Sequence, residues 1–492
     1  MKKFGKLLGF DPVAKQTSVR TELIAGVVTF LAMAYILTVN PNQIFGGVDS
    51  PYWSSAFIAT ALGAIIGTLL MAFLAKMPLA QASGMGLNSM VGGLIGGWAG
   101  YAAAFTPGQA FFLVLISGVC FLLLSLIKIK GKTFRELVFD GMPVAVRGAI
   151  SVGIGLFIAY IGFQNAGIIV ANPYTQIELV NLTSWDTAKT AILAFIGLFL
   201  IAILDKLHVK GAVILGILGA TVIGIPFGIT NLSVLAGDVP GISWKFWENI
   251  GNFFTGEFTV FGSFVDVFTG DGVAPAGVSV FSVIMIVITF CMIDMFDTMG
   301  TIVGCCAGNR VLSDENDKPH NYGKIMMSDA IATCSGAMLG TSTVTTFVES
   351  GAGVSAGGRT GLTALTTAGL FFAAIFAMPL FAVIPSAATA AALIYVGVLM
   401  MKGNIKNIDF GNAIKATSAF LTIVVMVLAY SITKGIGVGL VSYTLMTVVA
   451  YLFGLIKYAI TKKEKPTWDL SVVAIIVSLL FCVYFFVPTT LF

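Results

Sequence analysis

The sequence predicts an all-α polytopic membrane protein: two inverted seven-helix repeats, about fourteen transmembrane helices, with the third and tenth spans interrupted by short antiparallel β segments. Three observations lead there. Of the 492 residues, 57% are hydrophobic and only 10% charged, far from the roughly 25% charged residues of a soluble domain. Apolar runs recur along the chain, most near the ~20 residues that a helix needs to cross the hydrocarbon. They fall into two sets of seven, parted by a polar stretch at 230–278.

Segment 1–21 carries Lys2, Lys3, Lys6, Lys15 and Arg20 and is expected in the cytoplasm. The run that follows reads as a first span and not as a cleaved signal, because the basic region is too long and Ala32-Met33-Ala34 sits in mid-run. Spans of the first repeat (22–229) are predicted near 23–39, 53–75, 79–97, 108–128, 141–163, 187–204 and 211–229. After the extracellular loop 230–278, those of the second (279–457) fall near 279–304, 324–340, 341–358, 361–381, 384–401, 413–431 and 435–457. A basic loop and an extra apolar segment at 469–488 fill 458–492, leaving the side of the C-terminus open. Period-two segments of about ten residues, the mark of an outer-membrane barrel, are missing.

Charge placement supports this threading. With the N-terminus inside, the inner loops collect Lys76; Lys128, Lys130, Lys132 and Arg135; Lys206 and Lys210; Arg310, Lys318 and Lys324; Lys402 and Lys406; and Lys457, Lys462, Lys463 and Lys465. The long outer loop has Lys245 alone against Asp238, Glu248, Glu257, Asp266 and Asp271. The net charge of +4 thus reports orientation and gives no sign of a nucleic-acid partner.

Local echoes fit the inverted repeat. Pro143 to Arg147 ahead of Gly155 resembles Pro385 to Thr389 ahead of Gly397, and Lys210-Gly211 resembles Lys434-Gly435. The segments Pro78-Leu-Ala-Gln-Ala-Ser-Gly-Met-Gly-Leu-Asn88 and Thr341-Ser-Thr-Val-Thr-Thr-Phe-Val-Glu-Ser-Gly351 are the strongest clue. Each reads as extended backbone, a Gly-rich turn and a half-helix. Exposed amides at membrane depth cost several kcal/mol apiece, so the two segments are expected to pair with each other, bringing two half-helix N-termini to the midplane.

Ionisable residues inside spans are costly and mark function. Asp294 and Asp297, three apart, share a helix face with Thr298 and Thr301, and Glu349 sits at the break of the tenth span. Capping of half-helices or pairing with Arg147 is the competing reading of these carboxylates, and Arg359 reads as an anchor. With the amide of Asn88 and free backbone N–H groups, they suit a planar polar heterocycle bearing ring N–H and carbonyl groups better than a simple anion. Glu349, Asp294 and Asp297 are also candidate proton carriers, and protons are the only coupling partner expected, without a cofactor. Gly86 and Gly351, beside the two breaks, are expected to let the backbone approach the ligand. The six cysteines include no CxxC pair, and His208 and His320 form no cluster, so no metal centre is expected. With no nucleophile–base pair either, an enzyme is the weakest reading.

At these residues the chain resembles the AzgA-like purine permeases, within the nucleobase–cation symporter (nucleobase–ascorbate transporter) group. The resemblance runs from Phe10 to the C-terminus through Gly84-Met-Gly-Leu-Asn-Ser89, Asp294-Met-Phe-Asp-Thr-Met-Gly-Thr301, Glu349-Ser-Gly-Ala-Gly353 and Arg147-Gly-Ala-Ile-Ser-Val-Gly-Ile-Gly155. It implies proton-coupled uptake of purine nucleobases, hypoxanthine and guanine and/or adenine, across the cytoplasmic membrane by an elevator-type alternating-access mechanism. A core of spans 1–4 and 8–11 would slide against a gate of spans 5–7 and 12–14. It further implies that Asn88, Asp294 and Glu349 contact or position the purine, with Gly86 permitting close approach. The segment 469–488 departs from the family plan. A sulfate or carboxylate transporter of similar fold and a uracil/xanthine permease remain as alternatives. Neither the preferred purine nor the oligomeric state, a homodimer included, is set by the sequence.

Overall fold

The computed structural model describes residues 7–11, 13–97, 104–129, 132–133, 143–172, 174–209, 211–236, 242–306, 309–313, 319–462, 467–468 and 470–486. Lys2, Lys3, Lys6, Lys130, Arg135, Lys210, Asp238, Lys318, Lys463 and Lys465, and the extreme ends of the predicted spans 141–163 and 469–488, lie outside the described residues.

The first span is two helices, α1 (Val19–Met33) and α2 (Ile36–Phe45), parted at Ala34-Tyr35. Ser18 starts α1, its hydroxyl accepting from the Thr21 amide. The second span, α3 (Trp53–Leu70), widens by a turn at Met71–Ala75. The third predicted span resolves into β1 (Gln81–Ser83) and α4 (Met85–Ile95). Then come α5 (Pro107–Leu126), the short strands β2 (Lys128–Ile129) and β3 (Lys132–Thr133), and α6 (Val144–Asn165). A hairpin of β4 (Ile169–Asn172) and β5 (Gln176–Leu179) precedes α7 (Trp185–Lys206) and α8 (Ala212–Gly224).

The polar loop 230–278 is not featureless. It holds α9 (Phe246–Thr255), which buries Phe253 and exposes Trp247 and Phe254, and the Asn249 amide clasps both the N–H and the carbonyl of Ser243. The second repeat follows as α10 (Val280–Cys306), α11 (Tyr322–Leu339), β6 (Val344–Thr346) with the short α12 (Ser350–Ser355), and α13 (Gly361–Ile375) with α14 (Met378–Ala382). Last come α15 (Ser386–Asn404), α16 (Ala413–Leu428), α17 (Ile432–Thr461) and α18 (Val472–Phe486).

Among the described residues seven helices are long and apolar enough to cross a membrane, and six shorter apolar helices accompany them. The shortness of α4 and α12 has a local cause, since β1 and β6 take up the first part of those spans. The extra apolar segment is α18, antiparallel to α17. Trp468 meets Tyr451 at 4.9 Å, Ser478 bonds to Thr444 (2.7 Å) and to the Leu440 carbonyl (3.2 Å), and Phe481 and Phe485 lie over Gly437.

The chain divides into two compact units, Met1–Ser125 with Ile161–Val278 and Ile286–Tyr395, and Leu126–Tyr160 with Ser279–Met285 and Val396–Phe492. The first unit contains both interrupted spans. Its α1 lies on α13, where Gly26 offers its carbonyl to Thr367 (3.0 Å) and Phe30 meets Phe371 edge-on at 5.2 Å. In the second unit, Gly435 and Gly439 of α17 seat against Met426 and Thr422 of α16. Small residues that let helix backbones approach are the usual membrane packing solution.

Candidate functional site

The centre of the site is an antiparallel pair of strands, β1 with β6, in the register Gln81↔Thr346, Ala82↔Thr345, Ser83↔Val344. Lipid offers no partner for extended backbone, so each break must satisfy the other. Further bonds lengthen the pairing: Gly84 N–H to the Thr343 carbonyl (2.9 Å) and Phe347 N–H to the Ala80 carbonyl (3.1 Å). On the outer side of β1, the Thr68 hydroxyl accepts from the Gln81 amide at 3.0 Å and donates to its carbonyl at 3.1 Å. Ser350 accepts from the Ala80 amide at 3.0 Å.

Hydroxyls and amides lock the pair laterally. Ser83 and Thr341 share a bond of 2.6 Å, and Asn40 donates to Thr60 at 2.7 Å and Thr341 at 2.8 Å. Asn88 is buried in the first turns of α4. Its amide oxygen accepts from Ser342, and its amide nitrogen makes a long 3.5 Å contact to the Ser83 carbonyl. The Asn88 amide is thus turned to the strands.

Four carboxylates surround the pair. Glu349, buried at the start of α12, accepts from the Tyr35 hydroxyl at 2.6 Å through Oε1, while its buried Oε2 has no hydrogen-bond partner among the described residues. Asp294, buried in α10, accepts from Thr333 at 3.1 Å. Asp297, one turn on, is half-buried and within electrostatic reach of Asp329 and Glu349. Asp329, buried in α11, accepts from Thr298 at 2.8 Å and from the side-chain Nε2 of Gln81 at 3.2 Å. Because Thr298 gives its single proton to Asp329, the 2.5 Å bond between Thr298 and Thr345 is donated by Thr345. A hydroxyl chain thus joins β6 to a carboxylate.

The structure therefore brings Asn88, Asp294, Asp297 and Glu349 around one strand pair. Gly86 is buried in the first turn of α4, and Gly351 is half-buried in α12. Tight packing falls on their neighbours instead. A Cβ at Gly84 would lie 2.7 Å from Thr345, and one at Gly353 would strike the Thr29 hydroxyl, whereas at Gly351 the nearest atom is the Cys305 sulfur at 3.6 Å. Three buried polar groups escaped the reading of the sequence, two at the site and one away from it. Asp329 carried a usable signal, an acid inside a predicted span, but Tyr35 carried none, being neutral in an apolar run. The third is Glu22, at the edge of the first span. Fully buried, it accepts from the Arg359 amide (3.0 Å), the Thr360 amide (3.3 Å) and the Thr363 hydroxyl (2.5 Å), at the start of α13. The Arg359 guanidinium donates to the carbonyls of Val354 (2.5 Å) and Gly358 (2.7 Å), anchoring the end of α12.

Chemically, this is a buried site rich in acceptors, suited to a ligand that brings N–H donors or to protons themselves.

An adenine permease of Escherichia coli, AdeP, is 35% identical over 434 residues, covering 88% of this chain and 88% of the relative. A guanine/hypoxanthine permease of Bacillus subtilis, PbuO, is 36% identical over 439 residues, covering 88% and 92%. Among solved structures, the transmembrane domain of a cyanobacterium bicarbonate transporter, BicA, superposes with a TM-score of 0.58 at 16% identity, covering 85% of this chain and 97% of that domain. That likeness is one of fold, and it carries the inverted-repeat architecture. The sequence pattern of the Permease family matches residues 20–438, taking in both interrupted spans and all four carboxylates, and the chain belongs to that family.

Proposed function

We propose that the protein is a purine nucleobase permease, driven by protons and working by alternating access. The observation that carries the reading is Glu349, a buried carboxylate with one oxygen held by Tyr35 and the other without a partner, at the junction of two interrupted spans. A carboxylate oxygen accepts N–H groups of a planar base, and purines present such donors on a flat apolar ring. The relatives named as adenine and as guanine/hypoxanthine permeases support the same substrate class. A sulfate-like anion is disfavoured, since Asp294 and Glu349 would repel it.

In this reading Asn88, Asp294 and Glu349 contact the base, and Gly86 and Gly351 border it. Protons, the only coupling partner proposed, are carried by Glu349, Asp294 or Asp297. Spans 1–4 and 8–11 move as a core against a gate of spans 5–7 and 12–14. In the same reading the N-terminal segment is cytoplasmic, and α18, which returns along α17, is a further crossing that brings Phe486 to the outer side. The test is uptake of labelled hypoxanthine in cells lacking their own purine permeases, with unlabelled purines, uracil, xanthine and sulfate as competitors. Competition by adenine or guanine but not by sulfate supports the reading. Competition by sulfate, or saturation only by uracil, overturns it. Replacing Glu349 or Asp294 by alanine is expected to lower purine affinity about tenfold or more, the scale of leaving one buried donor of the ligand unpaired.

A further inference from the structure

We propose that Tyr35 is a positioning residue of the purine site: delivered from the break in the first span, its hydroxyl clamps one oxygen of Glu349 and presents the other to a ring N–H of the base. The proposal rests on the reading of the site given above and adds a residue that does not itself need to touch the ligand.

Tyr35 sits at the tight turn between α1 and α2. At Ala34-Tyr35 the backbone tightens, with Leu37 N–H bonding to the Ala34 carbonyl (3.2 Å) and Thr38 N–H to the Tyr35 carbonyl (3.1 Å). The fully buried ring points its hydroxyl where the third and tenth spans meet. Within reach are Glu349 Oε1 at 2.6 Å and the sulfur of Met85, the first residue of α4, at 3.8 Å. A phenol has one proton to give. The carboxylate takes it, because a charge-assisted bond is shorter and stronger than one to a thioether.

The consequence lies in the geometry of Glu349. The terminal torsion of a glutamate is broad and roughly two-fold, so an unrestrained carboxylate turns freely between its two oxygens. A 2.6 Å bond to a fully buried ring removes that freedom and makes the two oxygens unequal, Oε1 spent on the protein and Oε2 left without a partner. Pre-orientation of this kind raises affinity by lowering what must be ordered on binding. Tyr35 is tied to the tenth span by the same bond, so it belongs to the site although it lies 314 positions from Glu349 in the chain.

The experiment is a double-mutant cycle on the purified full-length protein, with hypoxanthine and adenine as probes in calorimetry. Tyr35→Phe removes only the hydroxyl. It is expected to weaken binding of the better probe about tenfold, yet less than about twofold when Glu349 is already glutamine, because two residues that act as one unit are not additive. The apo melting temperature of Tyr35→Phe should stay near that of wild type, which separates positioning from a packing defect. A second arm uses hypoxanthines methylated at N1, N7 or N9 and needs no measurable binding by Glu349→Gln. At least one methyl penalty seen with wild type should shrink in Tyr35→Phe, since the blocked N–H is the one that Glu349 holds. Unchanged affinity of Tyr35→Phe, equal fold-losses in both backgrounds, or identical methyl penalties overturn the proposal. Failure of the wild-type protein to bind either purine overturns instead the functional reading on which it rests.

Discussion

Replacing Glu22 by alanine removes the acceptor for the Arg359 and Thr360 amides and the Thr363 hydroxyl, all at the start of α13. Hydrogen bonds to a charged group are each worth about 1.5–3 kcal/mol, and a buried carboxylate at a helix N-terminus adds up to ~2 kcal/mol. The Thr363 hydroxyl also reaches the Glu22 carbonyl at 3.3 Å and so recovers part of its loss. The two amides have no such recourse, and the net cost is about 3–5 kcal/mol, the range for breaking a buried charged network. Glutamine at this position keeps the shape but exchanges one acceptor oxygen for a donor NH₂ facing N–H groups, so it rescues only part. The thirteen positions from Glu22 to Tyr35 correspond to about 20 Å of helix, so the damage stays remote from the purine site. Thermal unfolding of the detergent-solubilised protein, with and without hypoxanthine, reads both quantities. The expected result is a lowered apo melting temperature, ordered wild type, then glutamine, then alanine, with purine affinity within a few-fold of wild type. An alanine variant as stable as wild type, or one that folds and yet loses binding, would refute the reasoning.

Three further outcomes are expected. Gly353→Val should fail to accumulate as folded protein, because the new side chain meets Thr29 of α1, whereas Gly351→Ala, with only the Cys305 sulfur at 3.6 Å, should retain normal stability by the same unfolding assay. Purine accumulation in cells should collapse on adding a protonophore and be unaffected by replacing sodium with potassium; uptake that needs sodium and survives the protonophore would show the coupling to be misassigned. A cysteine placed just after Phe486 in a cysteine-free background should react with a membrane-impermeant maleimide added to intact cells, and labelling only after lysis would put that end inside and deny α18 its crossing.

Much of this architecture was legible because it depends on local chemistry. Apolar runs marked the spans, and the β-branched and glycine-rich breaks at 78–88 and 341–351 announced strands that the bilayer forces to pair. Asp294 and Glu349 were visible as acids where acids are expensive. Tyr35 and Asp329 were not visible as partners, because their meaning comes from contacts between distant spans. Nothing in the run Met33-Ala-Tyr-Ile36 indicates that Glu349 lies opposite. Helix α9 was hidden for another reason: its apolar face is short and diluted by Glu248, Asn249 and Asn252, so the segment averages to a polar loop.

The pairing of β1 with β6 also sets a timetable for synthesis. Gln81 and its partner Thr346 are 265 positions apart. At roughly 5–20 residues per second, the second strand leaves the ribosome on the order of 13 to 50 s after the first. Throughout that interval β1 has no strand to pair with, and of its backbone N–H groups only that of Gln81, held by Thr68 of α3, has a partner within the first repeat. The nascent first repeat must therefore wait in a sheltered or partly hydrated setting, beside the insertion machinery or at the membrane surface, until the second repeat arrives. A ribosome stalled before residue 344 should leave a nascent chain open to proteolysis at 78–84, and release of the stall should close that window in a single step.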